Sequence, residues 1–255
     1  MNIEITCPSC KFSRTVSSEA IPPDVSWVIC PACKHKFEFV SHSLDAKMKD
    51  GSPWERRTEL GLWQGIYRTF ISVLFSPTAF FMKIKPDKGL SEPLAFGLLL
   101  GSLGLMFGFF WDFLLVSGII MSLGSRLFEQ APLNWIFFAA IFLSPLLVLV
   151  DMFAKSAVLH VLMLIFGSGK RKFEGTFRVV AYGQSTKVLS IIPFVGNVTG
   201  WIWNIIVVIS GLKEIHKTSR IKAGIAVIVL IILKGLLLLP FFLLKAFVDA
   251  LGLVQ

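Results

Sequence analysis

Between Trp135 and Phe166 the chain carries only three ionisable side chains, Asp151, Lys155 and His160, in a run otherwise dominated by Leu, Phe, Ile, Val and Ala. Roughly 20 helical residues of this kind already cross a hydrocarbon core of about 30 Å, so the stretch demands a bilayer as its solvent. Residues 94–120 and 223–248 have the same character, and no such run precedes Pro93. With 55% hydrophobic and 16% charged residues the composition is too apolar for a soluble chain of 255 residues, and 24 Phe and 7 Trp suit lipid-facing and interfacial positions. The N-terminus lacks a basic stretch followed by an apolar core and a small-residue cleavage site, so the head is expected to stay in the cytosol.

The expected fold is an all-α polytopic bundle of five transmembrane helices, with a small β-rich module in front. The spans fall at about 94–120, 135–166, 179–194, 197–212 and 223–248, within a membrane domain at 94–255. The middle pair is short, because sixteen helical residues cover only about 24 Å, and it is broken at Pro193, Gly196 and Asn197. Residues 58–93 form an amphipathic segment, with bulky apolar side chains at three- and four-residue steps among Gln64, Arg68, Thr69 and Ser72. That pattern suits a helix in the headgroup region or one packed on the bundle.

Basic loops stay in the cytosol. Lys170, Arg171, Lys172 and Arg178 follow the second long stretch, and Lys213, Lys217, Arg220 and Lys222 precede the last span. The connection at 121–134 has only Arg126, and the break near Pro193 has no base. The N-terminus is therefore expected inside a cytoplasmic (inner) membrane and the C-terminus outside. A hairpin at Asp151 would move one basic loop outward, which argues for a single crossing there. The formal charge of +9 is thus mostly topogenic, and no nucleic-acid partner is needed to explain it.

Ionisable groups inside spans are functional candidates. Asp151 and Lys155 stand four residues apart and can pair on one helix face near the inner interface, with His160 just beyond. Lys234 falls near the midplane of the last span, with Asp112 its nearest expected acidic partner. Gln184, Ser185, Thr186, Lys187 and Asn204 require protein or water partners in a bilayer, so the short pair is expected to be enclosed by other helices.

All four cysteines lie in the first 33 residues, as Cys7-Pro-Ser-Cys10 and Cys30-Pro-Ala-Cys33. In a reducing compartment such spacing points to metal rather than disulfides. Two residues between cysteines turn both thiolates toward one ion, and two such turns supply a closed tetrahedron for one structural zinc ion per chain. The second pair and the lack of a βαβ context argue against a thioredoxin-like redox site, and His35 is a surface residue on this reading. Short runs around the pairs predict strands. Residues 1–40 contain Lys11, Arg14, Lys34 and Lys36 against Glu4, Glu19, Asp24 and Glu38, which leaves no basic footprint for phosphate backbones. Residues 41–57, rich in Ser, Lys and Asp, suit a flexible linker.

The segments SPTAFFMKIKPDKGLSEPLAFGLLL from Ser76 and FRVVAYGQSTKVLSIIPFVGNVTGWIWNIIVVISGLKEIHKTSRIKAGIA from Phe177 resemble bacterial members of the Yip family, the Ypt/Rab-interacting membrane proteins. Tyr182-Gly183, the Pro193-x-x-Gly196 landmark and the run at 211–216 carry the resemblance, which spans about 70–250. The cysteine pairs are similar to the short zinc-ribbon fingers found at the start of bacterial membrane proteins. The family implies five membrane helices and a cytoplasmic N-terminus. Its eukaryotic members are linked to prenylated Rab GTPases and vesicle traffic, but their Asp-Leu-Tyr-Gly-Pro motif is absent here, so that role is not expected.

No His-Glu-x-x-His, Gly-x-Ser-x-Gly or phosphate-loop motif is present, and Gly167-Ser168-Gly169-Lys170 lacks the upstream glycine and following hydroxyl. The expected protein is not an enzyme. It is a membrane scaffold or adaptor whose zinc module docks a cytosolic protein partner, with self-association of the bundle also compatible. A small-solute or ion transporter using Asp112, Asp151 and Lys234 is the alternative.

Overall fold

A computed structural model describes residues 2–17, 27–38, 51–123, 133–169 and 171–250. The chain divides into two compact units, 1–50 and 51–255.

In the first unit, β1 (Asn2–Thr6) pairs antiparallel with β2 (Ser13–Ser17), from Asn2 opposite Ser17 to Thr6 opposite Ser13. A second hairpin joins β3 (Trp27–Ile29) to β4 (Lys36–Glu38), with Trp27 opposite Glu38. Two-stranded hairpins of this size are marginal alone in water. The turn of each is a Cys-Pro-x-Cys-Lys knuckle, and the two are closed alike. The Cys7 amide donates to Phe12 O at 2.9 Å and the Lys11 amide to Cys7 O at 3.0 Å. The Cys30 amide donates to His35 O at 3.0 Å and the Lys34 amide to Cys30 O at 2.9 Å. Lys11 and Lys34 occupy the left-handed region at φ 57° and 55°, a strained place for a residue with a Cβ, so the knuckle geometry is imposed by what it encloses.

The second unit opens with a 3-10 turn at Trp54–Arg56 that runs into α1 (Arg57–Leu60), followed by α2 (Leu62–Phe75) and α3 (Pro77–Lys83). Gly65, Thr69 and Val73 recur every four residues on the buried face of α2, whereas Trp63 and Tyr67 are 79% and 65% exposed. The amphipathic segment therefore packs on the bundle along one face and offers aromatics on the other. Pro77 begins α3, where its missing N–H costs nothing.

The long helices are α4 (Ser91–Leu123), α5 (Leu133–Ile165), α7 (Gly196–His216) and α8 (Arg220–Ala250), with α6 (Phe173–Gly183) continuing into a 3-10 segment, Gln184–Ile191. Among the described residues, three helices are long and apolar enough to cross a membrane: Ser91–Leu115, Phe137–Ile165 and Gly196–His216. That is fewer than the five crossings expected. The segment expected as a span at 179–194 lies on the end of α6 and the 3-10 segment, and Val179–Thr186 are buried. Close backbone approach encloses it: a Cβ on Gly104 of α4 would lie 2.2 Å from Lys187 O, and one on Gly196 of α7 would lie 2.1 Å from Leu189 O. Small residues let helices meet without a hydrophobic driving force inside a bilayer.

Residues 51–57 of the linker expected at 41–57 belong instead to the membrane unit, which begins at Gly51. Ser52 and Trp54 are buried there, and residues 41–50 lie outside the described residues. Trp54 packs tilted against Phe96 at 5.7 Å between ring centroids, Phe96 tilted against Tyr182 at 5.4 Å, and Phe80 edge-on against Tyr182 at 5.1 Å. This aromatic chain fixes the start of the unit to α3, α4 and α6.

Candidate functional site

The Sγ atoms of Cys7, Cys10, Cys30 and Cys33 lie within 4.8 Å of one another. Cys7 and Cys33 approach to 3.6 Å, as do Cys10 and Cys30. A tetrahedron with zinc–sulfur bonds of about 2.3 Å has edges of about 3.8 Å, so the four sulfurs stand where one tetrahedral ion would hold them. All four are free thiols, which removes a disulfide as the reason for their proximity. The N–H groups of Cys33 and Ala32 draw the Cys30 thiol down to about 7. At Cys10 the Phe12 amide also favours the thiolate, but the crowding sulfurs of Cys33, Cys30 and Cys7 push the thiol up to about 12. Four sulfurs this close cannot all ionise without a cation, and a bound zinc ion supplies that charge. The donor set leaves no open position for water, so the ion would be structural. His35 lies outside this cluster and is exposed.

Beside the sulfurs, Phe12, Trp27 and Ile29 are 40%, 53% and 64% exposed. A groove of about 210 Å³ lies against Ile5, Phe12, Val16, Val28, Ile29 and Phe37.

The membrane unit brings distant polar residues together at two places. Glu55 Oε1 accepts from Arg178 Nη1 at 2.6 Å and from the Tyr182 hydroxyl at 2.8 Å, and the Tyr182 and Ser52 hydroxyls meet at 2.9 Å. Arg178 Nη2 donates to Gly89 O at 2.9 Å. Arg57 pairs with Glu92, and the Trp54 indole donates to Glu92 O at 2.9 Å. Arg178 does not belong with the cytosolic loop charges expected beside it, because α6 begins at Phe173 and the Arg178 side chain is buried inside the unit. It is an internal ion-pair partner, and Lys170, Arg171 and Lys172 are left as the bases of that loop.

At the second place, Asp151 Oδ2 lies 3.2 Å from Lys155 Nζ, one helical turn along α5. The pairing expected from their spacing is present. Asp151 Oδ1 also accepts from Lys234 Nζ of α8 at 2.7 Å, and Lys187 Nζ of the 3-10 segment lies 3.6 Å from Oδ2. The expected pairing of Lys234 with Asp112 is thus replaced by one with Asp151, because α8 packs against α5 and α7. Asp112 instead lines a cavity of about 300 Å³, together with Lys155, Lys187, Ser190, Asn197 and Asn204. Asn204 Nδ2 donates to Gly183 O at 2.9 Å and to Thr186 Oγ1 at 3.1 Å, one of the internal partners its place in an apolar helix requires. His160 Nδ1 contacts Thr176 Oγ1 at 3.0 Å, which in turn contacts His216 Nε2 at 2.9 Å, so His160 is a cross-helix link between α5, α6 and α7.

The zinc-ribbon domain family matches residues 4–38, the hairpins and knuckles just described. No curated protein and no solved structure matches the chain. The Yip1 domain family matches residues 71–242, which takes in the C-terminal end of α2, all of α3 to α7 and the greater part of α8. With two thirds of its length so matched, its apolar helices and its clustered cysteines, the chain belongs to the Yip1 family of membrane proteins and carries an N-terminal zinc ribbon.

Proposed function

We propose that this protein is a non-enzymatic membrane scaffold or adaptor whose zinc ribbon docks a protein partner in the cytosol. The observation that carries the reading is the ribbon's surface: Phe12, Trp27 and Ile29 stand exposed beside a groove, on a module whose shape is set by four sulfurs. Exposed aromatics on a rigid support suit protein recognition, and a closed metal site suits a structural role better than chemistry. A photocrosslinking amino acid at Trp27 in the full chain tests it in cells. One discrete protein adduct, absent when Cys30→Ser is added, is the expected result; no adduct from Trp27, Ile29 or Phe12 positions would defeat the reading.

The proposed orientation places the ribbon and the basic loops near Lys172 and Lys217 inside, and positions 128 and 255 outside, in a cytoplasmic membrane. It is supported by the bases in those loops against Arg126 alone in the outer connections. Single cysteines in a version lacking the ribbon, probed with an impermeant thiol reagent on intact cells, should label at 128 and 255 and not at 172 or 217. Labelling at 172 would invert the loop and remove the crossing assigned to α5.

A further inference from the structure

We propose that the cavity between α4, the 3-10 segment and α7 is a binding site for a phosphodiester group bearing one negative charge. Three ammonium groups, Lys155, Lys187 and Lys234, converge on the single carboxylate of Asp151 at 3.2, 3.6 and 2.7 Å. Two of them, Lys155 and Lys187, also line the cavity, and the carboxylate on its wall is Asp112. Among the described residues the group therefore holds three positive charges against two negative ones. An uncompensated charge among apolar helices is costly, and a bound monoanion would neutralise this one.

The neutral lining fits the same ligand. Phosphate oxygens only accept hydrogen bonds, so a site for them must present donors that are not already committed. Ser190 and Asn197 line the cavity, and their side chains take no hydrogen-bond partner among the described residues. Thr186, by contrast, is already spent on Gly183 O and Asn204. A metal cation would meet the repulsion of the lysines, and a dianionic phosphate monoester would overshoot the charge and face Asp112. The volume of about 300 Å³ is at the lower end of the range for small-ligand sites. A phosphodiester reaches such a cavity from two sources, the headgroup of an anionic phospholipid or a soluble glycerophosphodiester.

Calorimetric titration of the purified full-length, zinc-loaded protein in a neutral detergent separates them. The probes are dihexanoyl phosphatidylglycerol, the same headgroup without acyl chains, and dihexanoyl phosphatidylcholine, whose phosphate carries its own cation. Phosphatidylglycerol should bind more tightly than phosphatidylcholine, and Lys187→Gln should weaken it by about tenfold, the loss of one charge-assisted hydrogen bond. Asp112→Asn should tighten it by about threefold through removal of a repelling carboxylate, a gain that misfolding cannot produce. Equal binding of the lipid and the chain-free headgroup assigns the site to a soluble ligand, and tighter binding of the lipid assigns it to the bilayer. Phosphatidylglycerol and phosphatidylcholine binding alike, or Lys187→Gln and Asp112→Asn both matching the parent, would overturn the proposal.

Discussion

The ribbon buries Cys7 and Cys30 and leaves Phe12, Trp27 and Ile29 in the open, whereas the membrane unit buries Arg178, Tyr182 and Phe96 almost completely and turns Phe142 and Leu237 outward. In the ribbon the order comes from the metal ligands, because two short hairpins cannot bury enough apolar surface to fold alone. In the membrane unit the apolar surface faces lipid, so shape comes from close packing at glycines and from polar groups that must find partners inside. One unit is specified by four clustered sulfurs on two short hairpins, the other by many contacts between residues far apart in sequence.

The largest expected effect strikes one side of this contrast alone. Structural zinc contributes about 10–16 kcal/mol to the folding of small fingers, so Cys30→Ser should abolish binding of one equivalent of zinc and expose the ribbon to protease. Elemental analysis and limited proteolysis read both. Thermal unfolding of the membrane unit should stay unchanged, and a parallel loss there would show that the two units fold as one.

Next comes the buried pair of Glu55 and Arg178, with side chains 9% and 1% exposed. Glu55→Ala leaves a guanidinium without its counter-charge, at a cost of about 3–5 kcal/mol, measurable as a lowered midpoint in detergent-mediated unfolding. Zinc content should not change. The double variant Glu55→Leu with Arg178→Met should recover much of the loss; if it does not, packing around Tyr182 rather than charge is what the site contributes.

A smaller effect is expected from the glycine contact. Gly104→Ala drives a methyl group onto Lys187 O and should cost about 1–3 kcal/mol by overpacking, whereas Gly118→Ala, with nothing within 4 Å of its added Cβ, should be neutral by the same measurement. The smallest change concerns Lys234, whose side chain is 49% exposed. Asp151 keeps Lys155 and Lys187 when Lys234 is replaced, so Lys234→Gln should lower stability by less than about 1 kcal/mol, and its double-mutant cycle should couple to Asp151→Asn but not to Asp112→Asn. Coupling to Asp112 would restore the pairing that the sequence suggested.

Determinants confined to a few neighbouring residues were legible in advance. The cysteine spacing defines a knuckle because two intervening residues are what bring two sulfurs onto one ion, and the long apolar runs define membrane helices because their solvent is set by composition alone. Asp151 and Lys155 were recognisable as a pair for the same reason, one helical turn being a local distance. The tertiary structure alone decided that Glu55 meets Arg178 and Tyr182 across 123 and 127 residues, and that Lys234 meets Asp151 across 83. Glu55 lay in a hydrophilic stretch that resembled a linker, and only the neighbouring Trp54, an aromatic among polar residues, hinted that the segment is anchored. Such pairings depend on how each helix is rotated about its axis and which neighbour it packs against, and an apolar run that looks alike on every face carries almost no information about either.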